Sequence, residues 1–136
     1  MRLRRLEHRF GRLIVPRMPV DQLKRVRRIC LAFPDATEKK AWERIPTFRI
    51  RDTIFAMFTD NYRNDGRIAL WLAAEFGMLE ELVAREPDRY FVPDNKRRPG
   101  WIGVLLNQID DKTLKMRARE AYELIAEKTQ TKWKRR

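Results

Sequence analysis

Three stretches rich in branched and aromatic residues follow one another between Thr47 and Leu72, separated only by Asp52 and by a polar run from Asn61 to Gly66. Gaps this short leave no room for a crossover helix, so neighbouring strands must run antiparallel. Thr47 to Arg51 and Ile54 to Phe58 read as a tight β-hairpin. Arg67 to Leu72 adds a strand with Ile68, Leu70 and Leu72 on one side and Ala69 and Trp71 on the other.

Helical spacing flanks this block. Leu23, Val26, Cys30 and Phe33 recur with helical period after Asp21, which is expected to cap the helix, and Pro34 stops it near Ala32. Arg25, Arg27 and Arg28 are assigned to its solvent face. Glu75 to Arg85 carries Phe76, Leu79, Leu82 and Val83 before Pro87, a second helix. Tyr90 to Pro93 reads as extended, 94–100 as a polar basic loop, and Trp101 to Leu106 as a short strand. A last helix opens at Asp110 or Asp111 and presents Leu114, Ala118, Ala121, Leu124 and Ile125. The expected fold is α+β: a two-layer sandwich of an antiparallel sheet and about three helices, in the order helix, three or four strands, helix, one or two strands, helix.

With 136 residues and 43% hydrophobic composition, the chain has material for one core. The net charge of +12 points to a polyanionic partner only until it is divided. Residues 1–17 hold six arginines and one glutamate, and residues 128–136 hold five basic residues and no acid. Residues 18–127 hold twenty basic and eighteen acidic side chains. The expected organisation is thus a basic N-terminal extension (1–17), a nearly neutral domain (18–127) and a basic C-terminal tail (128–136). Met18 followed by Pro19, Val20 and Asp21 also reads as a start of its own, which leaves it open whether 1–17 belong to the native protein.

One cysteine, Cys30, and one histidine, His8, exclude a disulfide framework and a zinc site built from Cys and His. Cys30 lies on an apolar stripe with no histidine in the domain to activate it. Glu38, Glu43, Asp60 and Asp65 match no cation-loop spacing. The five glycines are scattered and make no phosphate loop. No cofactor and no catalysis are expected. No apolar run approaches the roughly 20 residues of a membrane span, no secretory leader is evident, and the expected location is the cytoplasm.

Several clusters fall in a recognisable order: Phe33-Pro34 with Thr37-Glu38, Pro46 to Ile50 with Ile54 to Ala56, Ala69 to Leu72, Phe91-Val92-Pro93, Gly100 to Val104, and Ala121-Tyr122. Over about 20–127 the chain resembles the MmcQ/YjbR family, small bacterial proteins. That resemblance implies a two-layer α/β fold like those of secretion chaperones and CyaY, and a DNA-binding role through paired hairpin wings. The run Asp94 to Pro99 ahead of Gly100-Trp101 departs from the family pattern, so a pocket using this loop would differ here.

Three clusters are candidates for nucleic-acid contact. Lys96, Arg97 and Arg98 beside Trp101 combine phosphate-seeking charge with an aromatic face, although a solvated loop next to a core tryptophan has the same composition. Arg49 and Arg51 share a face of the first hairpin by alternation, as ordinary amphipathic strands also would. Lys39 and Lys40, with Trp42 and Arg44, form a third cluster on an expected edge strand, where lysines also discourage strand-to-strand association. The tail from Lys132 to Arg136 offers non-specific affinity for nucleic acid or an anionic membrane, or serves only as a solubilising end. The leading expectation is a binding module for DNA or RNA. The alternatives are a protein-interaction, chaperone-like or homodimerising module, and a binder of small anionic ligands near Trp42, Trp71 and Trp101.

Overall fold

The computed structural model describes residues 18–93 and 100–134. Helix α1 spans Pro19–Cys30. It is started by Pro19 and not capped by Asp21: the proline sits at the first helical position, where its fixed φ and missing N–H cost nothing, and Met18 precedes it in extended conformation without a side-chain cap. Asp21 lies in the first turn, where its charge opposes the helix dipole favourably.

Four strands follow: β1 (Thr37–Lys40), β2 (Pro46–Ile50), β3 (Thr53–Asp60) and β4 (Ile68–Ala73). Helix α2 (Phe76–Arg85), β5 (Tyr90–Phe91), β6 (Trp101–Leu105) and helix α3 (Asp111–Lys134) complete the chain. The six strands form one antiparallel sheet in the order β1-β2-β3-β4-β6-β5. The α+β two-layer reading therefore holds, with four strands before α2 and two after it. Trp42 and Arg44, expected on the edge strand, lie instead in a short 3₁₀ turn between β1 and β2.

The β2–β3 hairpin closes through Arg51 and Asp52, both at positive φ, the two-residue geometry that matches strand twist. Its register then slips: Phe48 faces Ala56 but Arg49 faces Ile54, so Phe55 is the extra residue of a β-bulge. The ring of Phe55 meets Phe33 and Tyr122 edge-on, with centroids 6.1 and 5.5 Å away. Phe33 and Tyr122 stack at 4.9 Å, and the Tyr122 hydroxyl donates to the carbonyl of Pro34 at 2.7 Å. The bulge thus turns one additional aromatic toward α3.

Cross-strand register places Phe48, Ala56 and Leu72 with Ile102, and Phe58 and Leu70 with Val104 and Tyr90, on the face covered by the helices. Helix α3 meets it with Leu114, Ala118, Ala121 and Ile125, all buried. Thr47, Met57, Trp71, Gly103 and Phe91 line up on the other face. There Tyr62 packs edge-on against Trp71 and the Arg67 guanidinium lies 4.0 Å from the Phe91 ring centre. Position 103 must be glycine for this packing, because a Cβ there would stand 2.2 Å from the Phe91 ring.

Helix α1 buries Gln22, Arg25, Val26, Ile29 and Cys30, a stripe at helical spacing. Arg25, expected on the solvent face, lies on this inward stripe with 4% of its surface exposed. Its Nε donates to Asp111 Oδ1 at 2.6 Å, Nη1 to Gln22 Oε1 and the Leu106 carbonyl, and Nη2 to the Ile109 carbonyl at 2.5 Å. Burial of a guanidinium is tolerable only with such complete pairing. Arg27 and Arg28 remain toward solvent, as expected.

Candidate nucleic-acid interface

The hairpin arginines are engaged within the fold. Arg49 is 15% exposed; its Nε donates to Thr47 Oγ1 at 3.0 Å and its Nη1 lies 3.4 Å from Asp52. Arg51 occupies the turn and donates through Nη1 to the Ala126 carbonyl and Thr129 Oγ1, fastening the hairpin tip to α3. Strand alternation would put both on one open face, but the positive φ of Arg51 takes it out of that alternation. Trp101 is 7% exposed and begins β6 opposite Ala73, a core position. Lys96, Arg97 and Arg98 lie outside the described residues, as do 1–17 and the last two residues of the basic tail.

The β1 edge differs. Lys39 and Lys40 are exposed on the first strand of the sheet, and Lys39 keeps a long 3.8 Å contact to Asp52. Beyond Lys40 the chain turns through Trp42, 41% exposed, and Arg44. A second turn, Tyr62–Asn64, follows β3 and projects at the same end of the sheet. Between the two turns lies a cavity of about 400 Å³. Its cations are Arg27, Lys40, Arg44 and Arg63; its acids are Glu43 and Asp60.

Charge in this cavity is unevenly committed. Arg27 is held by Glu38 through two hydrogen bonds of 2.8 and 2.9 Å, which raise its pKa further above the ordinary range. Lys40, Arg44 and Arg63 enter no ion pair among the described residues; the Arg63 guanidinium rests 5.1 Å from the Tyr62 ring centre. Glu43, Arg44, Asn61 and Arg63, all lining the cavity, hold positive φ. A non-glycine residue in that region costs about 1–2 kcal/mol, and such strain gathers at binding sites. Lys39, Lys40, Trp42 and Arg44 stand out in the sequence as a cluster of charge with an aromatic. Arg63 does not, because 61–66 reads as a plain polar turn; the Tyr-Arg pair inside it is the available signal.

Burial pushes the Cys30 thiol up to about 12, with the charge of Glu38 adding to the effect, so the thiolate is not accessible near neutrality. Glu38 serves Arg27, and Asp65 accepts the backbone N–H of Arg67 at 2.9 Å. Among the described residues no three His, Cys, Asp or Glu side chains converge to hold a metal ion. Nor, among them, is any helix long and apolar enough to cross a membrane.

A six-stranded antiparallel sheet with its helices on one face, closed by a bulged hairpin, defines an α+β sandwich module. The YjbR family profile matches residues 31–124, and the chain belongs to that family. It is similar in fold to the crystal structure of the Deinococcus radiodurans protein DR2400, described as carrying the domain DUF419. The TM-score is 0.66 at 20% identity, over 84% of this chain and 85% of that one. No curated protein matches the chain.

Proposed function

We propose that this chain is a binding module for the phosphate backbone of nucleic acid, received at the β1 edge and the two left-handed turns beside it. The observation that carries the reading is the juxtaposition of Lys40, Arg44 and Arg63, unpaired by acids among the described residues, around one cavity, with the exposed Trp42 in the same turn as Arg44. Cations on strained, outward turns meet phosphates, and a half-exposed indole offers a face on which a base can stack. The residues from Lys96 to Arg98 are part of the same proposal as a second basic element.

Fluorescence anisotropy with single- and double-stranded DNA across a salt series tests it on the full chain. Replacing Lys40, Arg44 and Arg63 together by Ala is expected to flatten the slope of log K against log salt by about 2 to 3, one unit or a little less for each phosphate no longer neutralised. Trp42→Ala should weaken single-stranded binding by about 1–3 kcal/mol while sparing the duplex. Unchanged affinity and slope in the triple variant would end the proposal, and a response to free phosphate equal to that for DNA would favour a small anionic ligand at this cavity instead.

A further inference from the structure

Registers put Lys40, Asp60 and Ile68 at one end of the sheet and Ala73 and Trp101 at the other. At that second end, α2 and α3 flank a cleft of about 510 Å³, within the range that takes a drug-sized molecule. Its surface is apolar in Leu72 and Ile102 of the sheet, Met78 and Leu82 of α2 and Leu124 of α3. Among the described residues its charged groups are Glu75, Glu120, Glu123 and Glu127, the last with an interaction of its own, and one cation, Arg117. Arg117 is already matched, by Glu120 at 3.0 Å and by the Tyr90 hydroxyl at 3.1 Å.

With Glu120 paired to Arg117, Glu75 and Glu123 are a local carboxylate surplus among the described residues, on a chain with a net charge of +12. Its source is a stripe on α3, where Glu120, Glu123 and Glu127 recur at intervals of three and four residues and so share one side of the helix. Most such stripes are solvated faces; here the stripe borders an apolar hollow, and Glu75 faces it from the start of α2. The carboxylates do not converge as ligands for a metal ion, since no group of three among the described residues does so. Dispersed carboxylates around an apolar floor suit a cation whose charge sits at the end of a hydrophobic body.

We propose that this cleft binds an organic cation of that kind, an aryl- or alkylamine whose body lies on Leu72, Met78 and Ile102 and whose ammonium is held between Glu75 and Glu123. The site is separate from the basic cavity and does not depend on it.

The test uses the full chain and three indoles that differ in the terminal group: tryptamine, tryptophol and indoleacetate, titrated by calorimetry and by amide NMR shifts. Tryptamine is expected to shift the amides of Leu72, Glu75 and Glu123, to bind about tenfold more tightly than the neutral tryptophol, and to weaken with salt, while indoleacetate does not bind. Glu75→Gln with Glu123→Gln should reduce tryptamine affinity about three- to tenfold and leave tryptophol unchanged, and Met78→Arg should exclude both. Equal affinity for amine and alcohol, indifference of tryptamine to the Gln pair, or the absence of shifts in the cleft with any of the three would overturn the proposal.

Discussion

Arg25 shows how much one side chain can organise. Its guanidinium joins α1 to the carbonyls of Leu106 and Ile109 just before α3 and to the carboxylate of Asp111 at its start, and Gln22 beside it donates to Asn107 at 2.7 Å. Truncation leaves the carbonyls of Leu106 and Ile109 without this donor in a buried junction and takes from the half-exposed Asp111 the nearer of its two arginines, Arg28 remaining at 3.3 Å. Arg25→Ala is therefore expected to cost about 3 kcal/mol in urea unfolding, and Arg25→Lys, which cannot reproduce the fork, more than half of that. A loss within about 0.5 kcal/mol, typical of surface positions, would show that the network is dispensable. The sequence places Arg25 beside Arg27 and Arg28, and nothing in composition marks which of three arginines turns inward. That choice depends on carbonyls some eighty positions later in the chain. Gly103 is the converse case: a glycine inside a strand signals a close approach, but only the fold identifies the Phe91 ring as what approaches.

Among the elements, period and punctuation carry well. The alternation from Thr47 to Leu72 and the helical spacing of α2 and α3 give the strand and helix order because one face of each element must be apolar. What local pattern cannot convey is the slip at Phe55, where the extra ring packs on Phe33 and Tyr122, or the left-handed residues of the two turns. The start of α3 is legible and also testable. Asp110 accepts the Thr113 N–H at 3.2 Å, and its pKa is lowered chiefly by its hydrogen bonds to Thr113. For Asp111, burial works to raise the pKa, but hydrogen bonds and charge from Arg25 and Arg28 outweigh it, and the result is also a lowered value. A depressed folded pKa means stability that is fully present above the ordinary aspartate range and lost as pH falls through the folded value. Stability should thus decline below about pH 4. Asp111→Asn should be less stable at neutrality and show a flatter acid limb in denaturant midpoints. An acid limb identical to that of the parent would remove Asp111 from the account.

At the scale of the whole molecule, ten of the twelve net positive charges lie within residues 1–17 and 128–136, while the stretch between them is nearly neutral. Net charge therefore governs long-range attraction to a polyanion, and the arrangement of a few side chains governs where it is held. The two contributions separate in the full chain. Exchanging the six arginines of 1–17 and the Lys and Arg residues of 132–136 for Gln is expected to lower DNA affinity strongly at low salt, through slower association and fewer released counterions. The ratio of affinities between that variant and the same variant also carrying Lys40→Ala, Arg44→Ala and Arg63→Ala should match the ratio measured with native ends if the two sets of charges contribute independently. If neutralising the ends abolishes binding at every salt concentration, attraction by the ends is the whole interaction and the β1 edge only a solvated surface. If the ratio is preserved, the ends act as a collecting field and the strained turns as the place of contact.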